Sequence, residues 1–494
     1  MKRSPEGLAP VVTLDRRQVR PLHRQLYEGY RQAILDGRLR PGQRLPSTRT
    51  LAGELGVSRI PVVMAFEQLV AEGYVQSRVG AGSFVSAALP DAAPARQPAP
   101  RQRAPGPRHV PPSRLAIVDE PWLEPRGAFR VGQPALDQFP AALWGRLVTR
   151  QIRRLSPRQM QYGDQLGLPS LREALADHLR TVRSVACTPE QIMIVSGSQQ
   201  ALSVACQALL APGDAAWVEE PGYGGARDAL RLAGARVVAV PVDGEGLDVA
   251  AGIARAPTAR AVYVTPSHQY PLGMVMSASR RLQLLEWARR RGAWLFEDDY
   301  DSEYRYDTPP LASLHGLDGD ARVLYVGTFS KILFPALRVG YLVMPRDLVA
   351  RLRRFRDAMD LFPAPLQQAV LAELIREGHF ARHLRRMRNI YAERRHVLEA
   401  TLARELGGVA RVVGDRAGMH LTILLPPWAR DHDIAVRAAQ RGLSVLPLSS
   451  CYAGRPAQPG LVLGYGSTRV GEMTEAVRRL KLIINTRANS TRSS

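Results

Sequence analysis

The sequence is poor in the features that mark secreted and membrane proteins. Its three cysteines, Cys187, Cys206 and Cys451, lie far apart and form no CxxC pair. That argues against a disulfide framework or a cysteine-built zinc site, so no metal is expected, and the pattern fits a reducing compartment. No run of about 18 apolar residues occurs, which leaves nothing to cross a membrane as a helix. The first residues, Met-Lys-Arg-Ser-Pro, lack the apolar core of a signal peptide. A cytoplasmic protein without a membrane partner is expected. Lysine is also scarce, since arginine greatly outnumbers it.

What is present points to more than one domain. A chain of 494 residues is too long for a single core, and two or three domains are expected. The apolar content of 45% is ordinary for a globular protein. The formal charge is +22, from 67 basic and 45 acidic residues. Such an excess favours a polyanionic partner through counterion release, although a GC-rich coding sequence inflates arginine as well. Residues 1–86 hold thirteen basic and seven acidic groups, and residues 87–118 hold five and one. The charge is therefore spread along the chain and does not locate a DNA site.

Residues 87–118 are rich in proline, alanine and arginine and nearly devoid of large apolar side chains. Repeated proline favours extended polyproline II, so this segment reads as a semi-rigid basic linker. Before it, Leu22, Leu26, Tyr30, Ala33 and Ile34 recur at helical spacing, with Gly37 as the stop. A second helix opens at Ser47 and ends near Gly56, with Leu51, Ala52 and Leu55 inward. A third runs from Ser58 to about Glu72, with Glu67-Gln-Leu-Val filling its inner turns. Two short strands, Tyr74–Arg78 and Ser83–Ser86, join through Val79-Gly-Ala-Gly82. This order predicts a winged helix–turn–helix whose third helix enters the major groove.

From about residue 120 apolar strands alternate with amphipathic helices. Strands are predicted at 192–195, 215–218, 237–240, 261–264, 294–296 and 323–326, and helices at 171–180, 201–210 and 278–291. The alternation gives an α/β fold with a mostly parallel sheet, whose ligands bind beyond the carboxyl ends of the strands. Ser196-Gly-Ser-Gln-Gln-Ala201 follows a strand and opens a helix, presenting free amides to a phosphate. Tyr223 follows the next strand and suits stacking on a flat ring. The run Glu297-Asp-Asp-Tyr-Asp301 offers a carboxylate to a pyridinium nitrogen. Thr328, Ser330, Lys331 and Arg338 supply hydroxyls, an amine for imine formation and a guanidinium for phosphate. Pyridoxal 5'-phosphate needs these groups together.

The head, with Leu45-Pro-Ser-Thr-Arg-Thr-Leu-Ala-Gly-Glu-Leu-Gly-Val-Ser-Arg59, Glu67–Tyr74 and Gly80–Val85, resembles a GntR-type DNA-binding domain. That resemblance implies DNA contacts by Arg44, Ser47, Arg49, Ser58, Arg59, Arg78 and Gly80. Ile60-Pro61 departs from the polar pair usual after Ser-Arg; the helix tolerates proline there, but base preference changes. Residues 120–485 resemble the fold-type I aminotransferases, and the whole chain resembles the MocR subfamily of GntR-type regulators. The implied divisions are a DNA-binding domain at 1–86, a linker at 87–118 and an aminotransferase-like domain at 119–494, with its large part at 119–360 and small part at 361–485. The resemblance implies Lys331 as the Schiff-base lysine, Asp298 at the ring nitrogen, Tyr300 at the ring hydroxyl and Tyr223 stacked on the ring. Ser198, Gln199, Thr328, Ser330 and Arg338 would hold phosphate, and Tyr162 would reach a neighbouring subunit's phosphate in a homodimer.

Two departures argue against turnover. Tyr270-Pro-Leu-Gly273, after Ser267-His-Gln, replaces the Asn-Pro-x-Gly of aminotransferases. Val462, in Leu461-Val-Leu-Gly-Tyr-Gly466, stands where those enzymes hold the substrate carboxylate with arginine, and an apolar side chain makes no bidentate clamp. Arg411, Arg416 and Arg469 are candidates to replace it in space. The expectation is a regulator, not an enzyme, that binds double-stranded DNA. It senses pyridoxal phosphate or an amine or amino-acid effector through Lys331, controlling genes such as those of vitamin B6 or amino-compound metabolism. The alternatives are a working aminotransferase with an autoregulatory head, and a degenerate domain kept as a dimerisation scaffold.

Overall fold

The computed structural model describes residues 12, 14–16, 20–78, 81–87, 127–306, 312–318, 322–414 and 417–486. The expected linker, all but Ala87, lies outside them, as do Gly80 and Arg416. The chain divides into two compact units, residues 1–111 and 112–494.

In the first unit, helix Leu22–Leu35 buries Leu26, Tyr30, Ala33 and Ile34, and Gly37 beyond its end takes a φ of 72° that favours glycine. Helix Thr48–Leu55 is capped by Ser47, whose hydroxyl accepts from the Thr50 amide at 3.1 Å. Helix Arg59–Ala71 buries Val62, Ala65, Phe66 and Leu69. Glu67 and Val70 are exposed, which corrects the expected inner run, because a helix turns in only every third or fourth residue. Strands Val75–Arg78 and Gly82–Val85 pair antiparallel, with Val75 opposite Val85 and Arg78 opposite Gly82. The result is a winged helix–turn–helix.

The second unit holds an eight-stranded sheet in the spatial order Ile192–Val195, Gly340–Val343, Val323–Thr328, Trp294–Asp299, Ala261–Val264, Ala215–Glu220, Arg236–Asp243 and Gly246–Leu247. The five central neighbours from Val323–Thr328 to Arg236–Asp243 run parallel, while Gly340–Val343 and Gly246–Leu247 are antiparallel. Four of these, Val323–Thr328, Trp294–Asp299, Ala261–Val264 and Ala215–Glu220, are buried along nearly their whole length, as expected for strands covered on both faces. A second, antiparallel sheet contains Arg411–Val413, His420–Leu424, Gly460–Gly464 and Leu446–Pro447. This arrangement is the fold-type I aminotransferase architecture. The residues after 195, 220, 264, 299 and 328 all emerge at carboxyl ends of like-directed strands, on one edge of the sheet.

Candidate cofactor site and nucleic-acid interface

Strand periodicity sorts the acidic run at the end of Trp294–Asp299. Alternate residues point to opposite faces, so Glu297 and Asp299 go one way and Asp298 the other. Glu297 accepts from the amides of Leu314 and His315, both at 2.9 Å, and so caps a short helix. Asp299 forms a buried ion pair with Arg183 at 2.6 Å and accepts from the Tyr325 hydroxyl. Asp298 has the Tyr263 hydroxyl donating to Oδ2 at 2.9 Å, while its buried Oδ1 has no partner among the described residues. Burial raises the Asp298 carboxyl to about 7.

Lys331 follows the strand Val323–Thr328 in a tight turn, where the Ser330 amide donates to Thr328 Oγ1 at 3.2 Å. Its Nζ donates to the Gly132 carbonyl at 3.1 Å. A Cβ on Gly132 would lie 2.5 Å from that Nζ, so this approach requires glycine. Burial lowers the Lys331 pKa, opposed by the nearby carboxylates of Asp301 and Asp298, and Arg338 lowers it further. The effect is a larger neutral, nucleophilic fraction of the amine. Arg338 holds a left-handed backbone at φ 52° and brings its guanidinium within 3.7 Å of where a Gly197 Cβ would stand. Gly197 precedes helix Ser198–Leu209, whose amino-terminal amides and Ser198 therefore adjoin the guanidinium. Ser330 Oγ is buried without a partner among the described residues.

The structure thus brings together Lys331, Asp298, Thr328, Ser330, Arg338 and the start of the Ser198 helix. Gln199 joins them, its amide donating to the Gly225 carbonyl at 2.9 Å and its oxygen 3.4 Å from the Tyr223 hydroxyl. The Tyr223 ring lies 6.4 Å from that of Tyr263, on the Asp298 side. The Tyr300 hydroxyl is 3.1 Å from His268 Nδ1 and donates to the His268 carbonyl at 3.0 Å. Tyr162 is not drawn into this cluster: it is 85% exposed, with its ring edge-on to Phe362 at 5.9 Å.

Several members were missed in the sequence. Asp301 lies 3.0 Å from His268 Nδ1, and the His268 ring is 4.9 Å from that of His420. Nε2 of each histidine is buried without a partner among the described residues. Burial, with His268 and Lys331 nearby, drives the His420 pKa well below its ordinary value, so this imidazole is neutral. One donor atom from each of His268, Asp301 and His420 lies within 4.8 Å of the others, a spacing that could take a cation. Asp301 is already engaged by His268 Nδ1, which also lies against the Tyr300 hydroxyl. The runs containing His268 and Asp301 carried a signal beside Tyr270 and Asp298; His420, on a remote strand, carried none.

Val462 is 0% exposed and packs with Leu448 and Cys451, beside Val131, Tyr270 and Leu272. Val131 adjoins Gly132, whose carbonyl accepts from Lys331, so this apolar cluster borders the lysine. Of the expected substitutes for arginine, neither of the two among the described residues joins it. Arg469 is exposed and pairs with Asp137 at 3.5 Å, and Arg411 is exposed on its strand.

In the first unit Arg44, Ser47, Arg49, Ser58, Arg59 and Arg78 are all exposed. Arg59 Nε donates to Thr48 Oγ1 at 3.1 Å, which ties the third helix to the second. Arg44 bridges the wing at Phe84, and the Arg78 guanidinium lies 5.0 Å over the same ring. Basic groups therefore flank both the wing and the start of the third helix, where phosphates lie against a bound duplex.

Residues 130–480 match the family of class I and II aminotransferases, and residues 22–85 match the gntR family of bacterial regulatory proteins. The chain is 40% identical over 472 residues to the probable rhizopine catabolism regulatory protein MocR of Rhizobium meliloti, covering 95% of both chains. It is 33% identical over 446 residues to the pyridoxine biosynthesis transcriptional regulator PdxR of Corynebacterium glutamicum, covering 90% of this chain and 91% of the relative. Among solved structures it resembles the α-aminoadipate aminotransferase LysN of Thermus thermophilus, complexed with N-(5'-phosphopyridoxyl)-L-leucine. That match has a TM-score of 0.68 at 30% identity and covers 74% of this chain and 93% of the enzyme. The two relatives matched over nearly the whole chain are thus named as regulators.

Proposed function

The chain belongs to the MocR subfamily of GntR-type transcriptional regulators, which bind DNA and pyridoxal phosphate, and from that premise we propose how its own residues carry signal to operator. Lys331 is the Schiff-base lysine, and a homodimer presents two DNA-binding heads to two half-sites. The observation that carries this reading is the set of unsatisfied buried groups around Lys331. Asp298 Oδ1 and Ser330 Oγ lack partners among the described residues, a Cβ on Gly132 would crowd the Lys331 amine, and Gly197 opens the phosphate end with a φ of 134° that favours glycine. An aromatic ring with a phosphate arm satisfies such a cradle, so the residues fit pyridoxal phosphate.

When bound, the cofactor supplies an aldehyde carbon that couples reversibly to amines and a ring that withdraws electrons. The chain supplies the rest. Lys331, its amine partly neutral through burial, provides the nucleophile. Asp298 Oδ1 would accept a ring N–H, while Tyr263 fixes the other oxygen. Arg338, Ser198, Thr328, Ser330 and Gln199 would hold the phosphate with a guanidinium, hydroxyls and helix amides. Tyr300, whose proton goes to the His268 carbonyl, would offer its oxygen to the ring hydroxyl. Tyr162, exposed in one protomer, is available to a partner's phosphate.

Val462 favours regulation over turnover, because an apolar side chain there makes no clamp for an amino acid's carboxylate, and the nearby buried Arg227 is engaged by the Ser450 and Cys451 carbonyls. The bound effector or the cofactor itself then shifts the dimer between two arrangements of its heads. The deciding experiment measures duplex binding by the full-length protein with and without pyridoxal phosphate, and in parallel follows turnover with paired amino and keto acids. A cofactor-dependent change in duplex affinity without turnover supports the regulator; multiple turnovers with unchanged duplex affinity would establish the aminotransferase instead.

A further inference from the structure

The third helix of the DNA-binding unit is apolar on two sides. Val62, Ala65, Phe66 and Leu69 pack inward, yet Ile60 and Met64 are 69% and 45% exposed. A helix apolar all round is ordinarily covered all round. A single exposed apolar side chain needs no explanation, but these two stand one turn apart on the same face, at the end of the helix that Arg59 anchors.

Their surroundings select the occupant. The exposed guanidinium groups of Arg44, Arg49, Arg59 and Arg78 suit a polyanion and disfavour an apolar protein surface. In the major groove the apolar feature on a base edge is the C5 methyl of thymine; guanine, adenine and cytosine present donors and acceptors. Isoleucine has neither donor nor acceptor, and methionine only a weakly accepting sulfur, so neither reads the polar edges. Both gain by covering a methyl group.

Building on the DNA-binding reading above, we propose that Ile60 and Met64 are base-reading residues of this protein and select thymine through its methyl group. The two side chains are separated by about 6 Å along the helix, close to two base-pair steps, so the thymines they meet lie within about two base pairs of each other. Pro61, partly exposed between them, widens the apolar surface and holds the first turn.

The test selects sites for the full-length protein from random duplex DNA. The selected site is then resynthesised with deoxyuridine replacing thymidine one position at a time, which removes a methyl and leaves pairing intact. Thymine is expected at neighbouring positions of each half-site, with about a fourfold loss of affinity for each contacted methyl removed. Met64→Gln and Ile60→Gln should each erase one of these losses. Both positions are exposed, so the variants should keep the thermal midpoint of the parent. Uracil tolerated at every position would overturn the proposal, as would variants that still discriminate thymine from uracil. Failure to select any duplex removes the DNA-binding reading itself and this proposal with it.

Discussion

The two units keep their chemistry in opposite places. In the DNA-binding unit the core of Leu26, Tyr30, Val62, Phe66 and Leu69 is apolar, and Ser86 is the one buried polar residue among those described. Its working groups are all on the outside. In the larger unit Lys331 stands among Asp298, Asp301, His268 and His420, all four buried, and Glu219, buried near Asp298, accepts from the Thr265 hydroxyl. A charge on a surface answers to salt and geometry, while a charge in the interior answers to desolvation and to each neighbour. Function and stability are therefore separable in the first unit and entangled in the second.

The sharpest break of that contrast is Lys331→Ala. Borohydride reduction of the cofactor-loaded parent should fix the cofactor on a peptide containing Lys331, and the variant should lose this attachment completely. The sequence helps here, because Lys2 and Lys481 are its only other lysines. Duplex binding measured without cofactor should not change. Reductive attachment surviving in the variant would move the function to another amine. On the other unit, Arg49→Ala should weaken duplex binding about tenfold and lower the slope of log affinity against log salt by about one. Its thermal midpoint should match the parent, and a large fall would show that surface function is not separable after all.

The same division explains what could be read from the sequence. The winged helix–turn–helix was legible because helical spacing at Leu26–Ile34, a serine cap and a glycine-rich turn are local signals. So were the strand ends that carry Asp298, Thr328 and Lys331, since each strand is a continuous apolar run and ligand groups follow it directly. Illegible were partners joined only by the fold. Gly132 meets Lys331 across 199 residues, and His420 meets His268 from the other sheet. The third helix was misread at Glu67–Val70 because its outward face is nearly as apolar as its inward one. That ambiguity had a functional cause in Ile60 and Met64.

Val462 sharpens the comparison by asking what an interior site selects when an apolar side chain stands in place of a carboxylate clamp. Serinol and serine are a matched pair, differing by a hydroxymethyl in place of the carboxylate. The holoprotein should take serinol with at least about tenfold lower dissociation constant than serine, read from the visible absorbance of the bound cofactor, because a buried carboxylate lacks a partner there. Val462→Arg should reverse the preference. The ratio of the two affinities is the readout, so a partial loss of packing around Leu448 and Cys451 cancels from it. Equal affinity in the parent would point to another guanidinium, with Arg130, partly buried beside Val131, the first to replace.

The smallest effect tests entanglement most directly. Burial raises Asp298 and Glu219 each to about 7, against an unfolded value near 4. A carboxyl raised in the folded state stabilises fully below its unfolded pKa, and that contribution is lost as the pH climbs through the folded one. His178, lowered to about 4 by burial, acts in the opposite sense, gaining stability as the pH rises from about 4 to 6.5. Raw pH profiles of the cofactor-free protein therefore mix the two, but the difference between the parent and Asp298→Asn cancels the histidine. The parent's thermal midpoint, relative to the variant's, should fall by about 2–5 °C between pH 5 and pH 8. A difference that stays flat would mean that Asp298 ionises in the fold as easily as in water, and that the interior of the larger unit imposes less on its chemistry than its burial implies. No comparable pH-dependent difference is expected for Arg49→Ala, whose side chain is exposed in the first unit.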